Sequence, residues 1–199
     1  MEAGTSSLLI MPLEDKTNEN SCVLTSYEVG PLQGDGKLYM TNLILMQYLN
    51  EPFFDDLRTK QQLGYVVFSR SHNHRDVIGC QFLVQSSHKA CEYLINSINV
   101  FLVDLREKLK ALTDDELEVQ KQAVITKLAV KDINLGSENG RLWGEIATHE
   151  YLFDRQDREI EIVKNITKDE FQAHFEKVFF SDSVKRLDME LTSTAHEEQ

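Results

Sequence analysis

The chain has 199 residues, 41% hydrophobic and 9% aromatic, with 21 Lys and Arg against 33 Asp and Glu for a formal charge of −12. That length and apolar content let one domain, residues 1–199 with a core over about 6–192, bury a hydrophobic interior without disulfide or metal staples. An acidic chain with no basic block argues against nucleic acid or a membrane surface as partner, and three scattered cysteines, Cys22, Cys80 and Cys91, argue for a reducing, cytoplasmic compartment.

The N-terminus has neither the basic start and long apolar stretch of a signal peptide nor the roughly 20 apolar residues of a membrane span, so neither is expected. Leu8 to Leu13 reads as a strand, and residues 22–29, with Val23, Thr25, Tyr27 and Val29 alternating against Cys22, Leu24, Ser26 and Glu28, read as another. Gly30 to Gly36 breaks that pattern, with a turn expected at Gly34-Asp35-Gly36. From Lys37 to Asn50 the apolar residues surround nearly the whole helical circumference, which predicts a buried helix, and Glu51-Pro52 is read as the start of a second, short one. Gly64 to Ser69 and Asp76 to Gln85 read as a β-hairpin with polar Arg70 to Arg75 as its connection.

The remainder is mainly helical. Leu94, Ile98, Phe101, Leu102, Leu105 and Leu109 recur at three- and four-residue spacing along one amphipathic helix. Thr113 to Glu116 and Thr167 to Glu170 are capping-box sequences that start two more, while Ser137 and Asp154 are the expected caps of a further pair. Residues 187–191 alternate as a closing strand, and residues 192–199 read as a frayed tail. The fold class expected is α+β: a mainly antiparallel sheet of about five strands with helices packed on one face.

Self-contained catalytic chemistry is missing from the residues. Six histidines, at 72, 74, 88, 149, 174 and 196, form neither H-E-x-x-H nor H-x-x-E-H, so no zinc site is expected in this chain. G-x-S-x-G, G-x-G-x-x-G and a P-loop are absent as well. One segment stands apart, Leu57-Arg58-Thr59-Lys60-Gln61-Gln62-Leu63-Gly64-Tyr65, where a forked guanidinium and a phenol can converge on a carbonyl or carboxylate beside the sheet edge. The plainer alternative pairs Arg58 with Asp55 or Asp56 and makes Tyr65 an ordinary half-buried strand aromatic.

This segment resembles the L-R-T-K-x-Q-L-G-Y run of the insulinase (pitrilysin) family of zinc metallopeptidases, in its insulin-degrading enzyme and nardilysin branch. The likeness continues in Trp143-Gly144-Glu145-Ile146 and Tyr151-Leu152-Phe153-Asp154-Arg155, over roughly residues 20 to 192. It implies an insulinase/pitrilysin-type (LuxS/metallopeptidase-like) domain, the fourth and catalytically inactive one of a longer peptidase whose N-terminal half holds the zinc. It implies peptide substrate and the other domains of the peptidase as partners. Arg58 and Tyr65 are then substrate-binding residues that reach the peptide near the scissile bond and stabilise the tetrahedral intermediate. No catalytic residue or metal ligand carries over, so the chain alone is expected to be inactive. The rival reading is a non-enzymatic interaction or assembly module with the same fold.

Overall fold

In a computed structural model describing residues 4–32 and 36–194, β1 (Ser6–Pro12), β2 (Ser21–Pro31), β3 (Val67–His74), β4 (Val77–Ser86) and β5 (Arg186–Thr192) form one sheet in the order β1-β5-β2-β4-β3. β5, β2, β4 and β3 are successively antiparallel, whereas β1 runs parallel to β5, so the sheet is mixed. A parallel pairing needs a long crossover, and here nearly the whole chain supplies it.

The period-two pattern decides which face the helices cover. Along β2, Val23, Thr25, Tyr27 and Val29 are buried while the residues between them are only half-buried. On β4, Ile78, Cys80, Phe82 and Val84 are all fully buried on the same side. Phe82 lies at the centre of that layer, its ring centroid 5.2 Å from Phe53, 5.8 Å from Phe179 and 6.1 Å from Tyr27. Burial of each such side chain stabilises the fold by about 1.5–3 kcal/mol.

The helices α1 (Lys37–Phe54), α2 (Cys91–Lys110), α3 (Asp114–Leu128), α4 (Leu135–Ala147), α5 (Arg155–Asn165) and α6 (Lys168–Phe179) follow the apolar spacing. α1 sinks Met40, Ile44, Leu45, Leu49 and Phe53 completely, as its all-round apolar character requires. Both capping boxes form: Thr113 Oγ1 accepts the Glu116 N–H at 3.2 Å and Glu116 accepts the Thr113 N–H at 2.8 Å, and Thr167 and Glu170 do the same for α6.

Several sequence expectations are corrected. Glu51-Pro52 starts no new helix, because α1 runs through Pro52 to Phe54 and opens directly into a π-helical turn, Asp55–Lys60. Leu49, Phe53 and Leu57 are all fully buried at four-residue intervals, and that burial offsets the hydrogen bond Pro52 cannot donate. Residues 70–74 belong to β3, leaving only Arg75 and Asp76 as the hairpin turn. Polar residues suffice there because β3 is an edge strand.

Asn134, not Ser137, caps α4. Its side chain accepts the Ser137 N–H at 2.9 Å, and Ser137 Oγ accepts the Asn134 N–H at 3.3 Å. Asp154 precedes α5 but makes no capping bond, since it pairs with Arg158 at 2.8 Å. The tail is anchored at its start, where buried Ser193 donates its N–H to Ser21 Oγ at 3.1 Å. Residues 195–199 lie outside the described residues, as do Gly34 and Asp35 of the expected turn, whose Gly36 has φ 76° ahead of α1.

Candidate functional site

The two singled-out side chains come from the junction between α1 and β3. Leu57 and Leu63 are sunk in the core, and the Leu63 N–H donates to the Leu57 carbonyl at 3.0 Å, which cinches the π-turn and the segment after it. Within the turn the Gln61 N–H reaches the Asp56 carbonyl at 2.9 Å, five residues back. Such wide turns recur at functional sites because the extra residue per turn redirects side chains.

Gly64 then presses against β4. A Cβ there would stand 1.7 Å from the Gln85 carbonyl oxygen, so this close approach is open only to glycine. Next to it the Val66 carbonyl accepts the Gln85 N–H at 2.9 Å. Tyr65 is thereby held between fixed neighbours while its side chain is 85% exposed, two residues ahead of β3 rather than within it.

Arg58 projects from the π-turn with its guanidinium carbon 5.4 Å from the Tyr65 ring centroid. The ion pair of the plainer reading does not form. Asp55 is taken by Lys60 at 2.8 Å and Asp56 by Gln61 at 3.0 Å, and Arg58 has no ion-pair partner among the described residues. The result is a cation stacked on an exposed phenol over a rigid base, with guanidinium and hydroxyl donors available to an incoming carbonyl or carboxylate.

The buried thiol and imidazole groups serve packing instead. Cys80, Asn42 and His174 have the residue types of a thiol hydrolase and were not singled out by spacing. Cys80 Sγ donates to Asn42 Oδ1 at 3.0 Å and His174 Nε2 lies 3.4 Å from the same oxygen. Burial pushes the thiol up to about 12 and the imidazole down to about 4, so neither ionises readily, and Cys80 is fully buried. This network ties α1, α6 and β4 together. His72 packs over Gly79, and its pKa is lowered by burial. Among the described residues no three His, Cys, Asp or Glu side chains converge, so the donors present do not fit a zinc site.

The two later stretches, around Trp143 and Arg155, meet in space. Arg155 grips Glu145 with Nε at 2.5 Å and Nη2 at 2.8 Å, also pairs with Glu150, and holds the Glu145 carboxyl below its usual range. The Leu152 N–H completes the clasp on Glu145 at 3.1 Å. In the same two stretches Trp143, Tyr151 and Phe153 are each more than half exposed.

Comparison with known proteins bears on this arrangement. The family model described as PQQ synthase PqqF-like, C-terminal lobe domain 4, matches residues 44–143, the stretch that contains Arg58 and Tyr65. The human insulin-degrading enzyme is 29% identical over 84% of this chain and 16% of its own length. The A-factor-processing enzyme of Saccharomyces cerevisiae is 32% identical over 91% of this chain and 17% of its own. The chain belongs to the insulinase (pitrilysin) family as a C-terminal-lobe domain. The crystal structure of pitrilysin superposes on all of it with a TM-score of 0.84 at 22% identity, using 21% of the pitrilysin chain. This insulinase-family domain therefore spans about a sixth of the length of the human and yeast relatives.

Proposed function

We propose that the chain is a single domain, with its core over about residues 6–192, that serves as a non-catalytic, substrate-binding wall of an insulinase-type zinc metalloendopeptidase. It closes the proteolytic chamber and contributes Arg58 and Tyr65 to the peptide. The zinc belongs to the N-terminal half of that enzyme. Peptide substrate and the sister domains are the partners, and three unpaired thiols suit a reducing compartment.

The observation that carries this reading is the Arg58–Tyr65 stack, with an exposed phenol, a half-buried guanidinium that has no ion-pair partner among the described residues, and a backbone that Leu63 and Gly64 fix. A scaffold gains little from leaving a guanidinium unpaired on a solvent-facing tyrosine. A binding surface gains pre-organised donors.

Chemically, peptide hydrolysis gathers negative charge on the former carbonyl oxygen. A phenolic donor aimed at that oxygen in a chamber with little water binds the transition state better than the substrate. Arg58 orients the peptide through its planar fork and, stacked on the ring, fixes the tilt of the phenol. Nuclear magnetic resonance titration of the chain with an unstructured peptide tests the binding half of this reading. Arg58 and Tyr65 signals are expected to shift first, and Arg58→Ala is expected to weaken binding several-fold. Shifts that bypass both residues, with Arg58→Ala binding as wild type, would refute it.

A further inference from the structure

At the far end of β3 from Tyr65 lies a cleft of about 700 Å³, open to solvent on one side and lined by residues of α1, α3, α4 and α5. Tyr39, Leu43, Leu128, Leu152 and Ile162 give it apolar walls, and Asn73 of β3 stands at its side. Six charged residues also line it, and five of them are matched. Arg141 pairs with Asp132 at 2.9 Å, Arg158 with Asp154 at 2.8 Å, and Arg155 with both Glu145 and Glu150. The sixth, Glu159, has neither a hydrogen bond nor an ion pair among the described residues.

We propose that this cleft receives a basic side chain, lysine or arginine, of the bound peptide, with Glu159 as its counter-ion and the apolar walls around its aliphatic stem. A half-buried carboxylate without a partner is costly to keep in a folded chain, and such groups concentrate where a ligand supplies the missing charge. Burial raises the Glu159 carboxyl, and Arg155, whose charge acts against that rise, is already committed to two other carboxylates. Long basic side chains suit the lining because their methylenes pack on apolar surface while the head reaches a charge. The volume lies within the usual range for ligand pockets and exceeds one side chain, so flanking peptide residues enter too.

The proposal rests on the peptide-binding reading of the domain but uses a different subsite. Eight residues of extended chain separate Tyr65 from Asn73, roughly 26 Å at strand rise. The chain is titrated with two N-acetylated peptides identical except for one lysine or norleucine, reading the methyl signals of Leu43, Leu152 and Ile162.

The lysine peptide is expected to shift these signals at roughly tenfold lower concentration. Glu159→Gln is expected to erase that preference while leaving the melting temperature equal or higher, and Tyr65→Phe to leave the preference intact. No cleft shifts up to millimolar peptide, equal response to both peptides, a preference that survives Glu159→Gln, or a melting temperature that drops in Glu159→Gln would each overturn it. Loss of Arg58 and Tyr65 shifts with the lysine preference retained would count against the Arg58–Tyr65 subsite alone.

Discussion

At the scale of single residues, the environment of each side chain determines what the residue does. Gly64→Ala puts a methyl group into the Gln85 carbonyl oxygen. The backbone must move, a cost of about 1–3 kcal/mol by urea denaturation, and Tyr65 moves with it. His174 titrates near 4 rather than 6.5 because it is buried, with Lys177 adding to the effect. The unfolded chain then binds a proton that the folded chain refuses, so stability falls as pH drops through 6.5 and levels off below about 4, a total of about 3 kcal/mol. Glu145, held low by Arg155, loses its contribution as pH falls below the ordinary carboxylate value of 4.5, while the raised Glu159 and Glu190 act in the opposite sense. Melting temperature at pH 7 and pH 5 checks this: the drop is expected in the wild type and a smaller one in His174→Gln. The residue types in one segment made Arg58 and Tyr65 candidates and the family resemblance gave them a role, but neither gave a sign of Glu159 or of the Cys80–Asn42–His174 network. Those depend on which charges find partners across residues far apart in the chain.

Among the elements, the periodic ones were readable and the edges were not. α1, α2, α3 and α6 follow apolar spacing and capping boxes because their faces meet one core, so local pattern and tertiary packing agree. Residues 70–74 of β3 carry no alternation, since an edge strand has little apolar contact to record, and Pro52 misled because buried Phe53 and Leu57 outweigh its missing donor. β1 is the opposite case. Leu8, Leu9, Ile10 and Met11 are between 41% and 59% exposed on an edge strand, although the sequence announces them as apolar. An uncovered apolar edge pairs with other chains. Sedimentation of the isolated chain is expected to show concentration-dependent association that Ile10→Lys reduces, and a strictly monomeric wild type at high concentration would contradict this.

For the whole molecule, the α+β class and the helix-covered sheet were legible because they follow from chain-wide patterning, whereas the parallel β1–β5 pairing joins the two ends of the chain and leaves no local mark. The chain is expected to hold no stoichiometric zinc and to cleave no fluorogenic peptide by itself, which elemental analysis and a peptidase assay check. The central claim is that Arg58 and Tyr65 complete a site whose reacting centre lies elsewhere. Its most direct test is the steady-state kinetics of Tyr65→Phe in the complete peptidase, with thermal stability as the folding control. A loss in kcat of up to roughly 10²-fold with little change in melting temperature is the expected result. An unchanged kcat and KM in well-folded Tyr65→Phe enzyme would contradict the account.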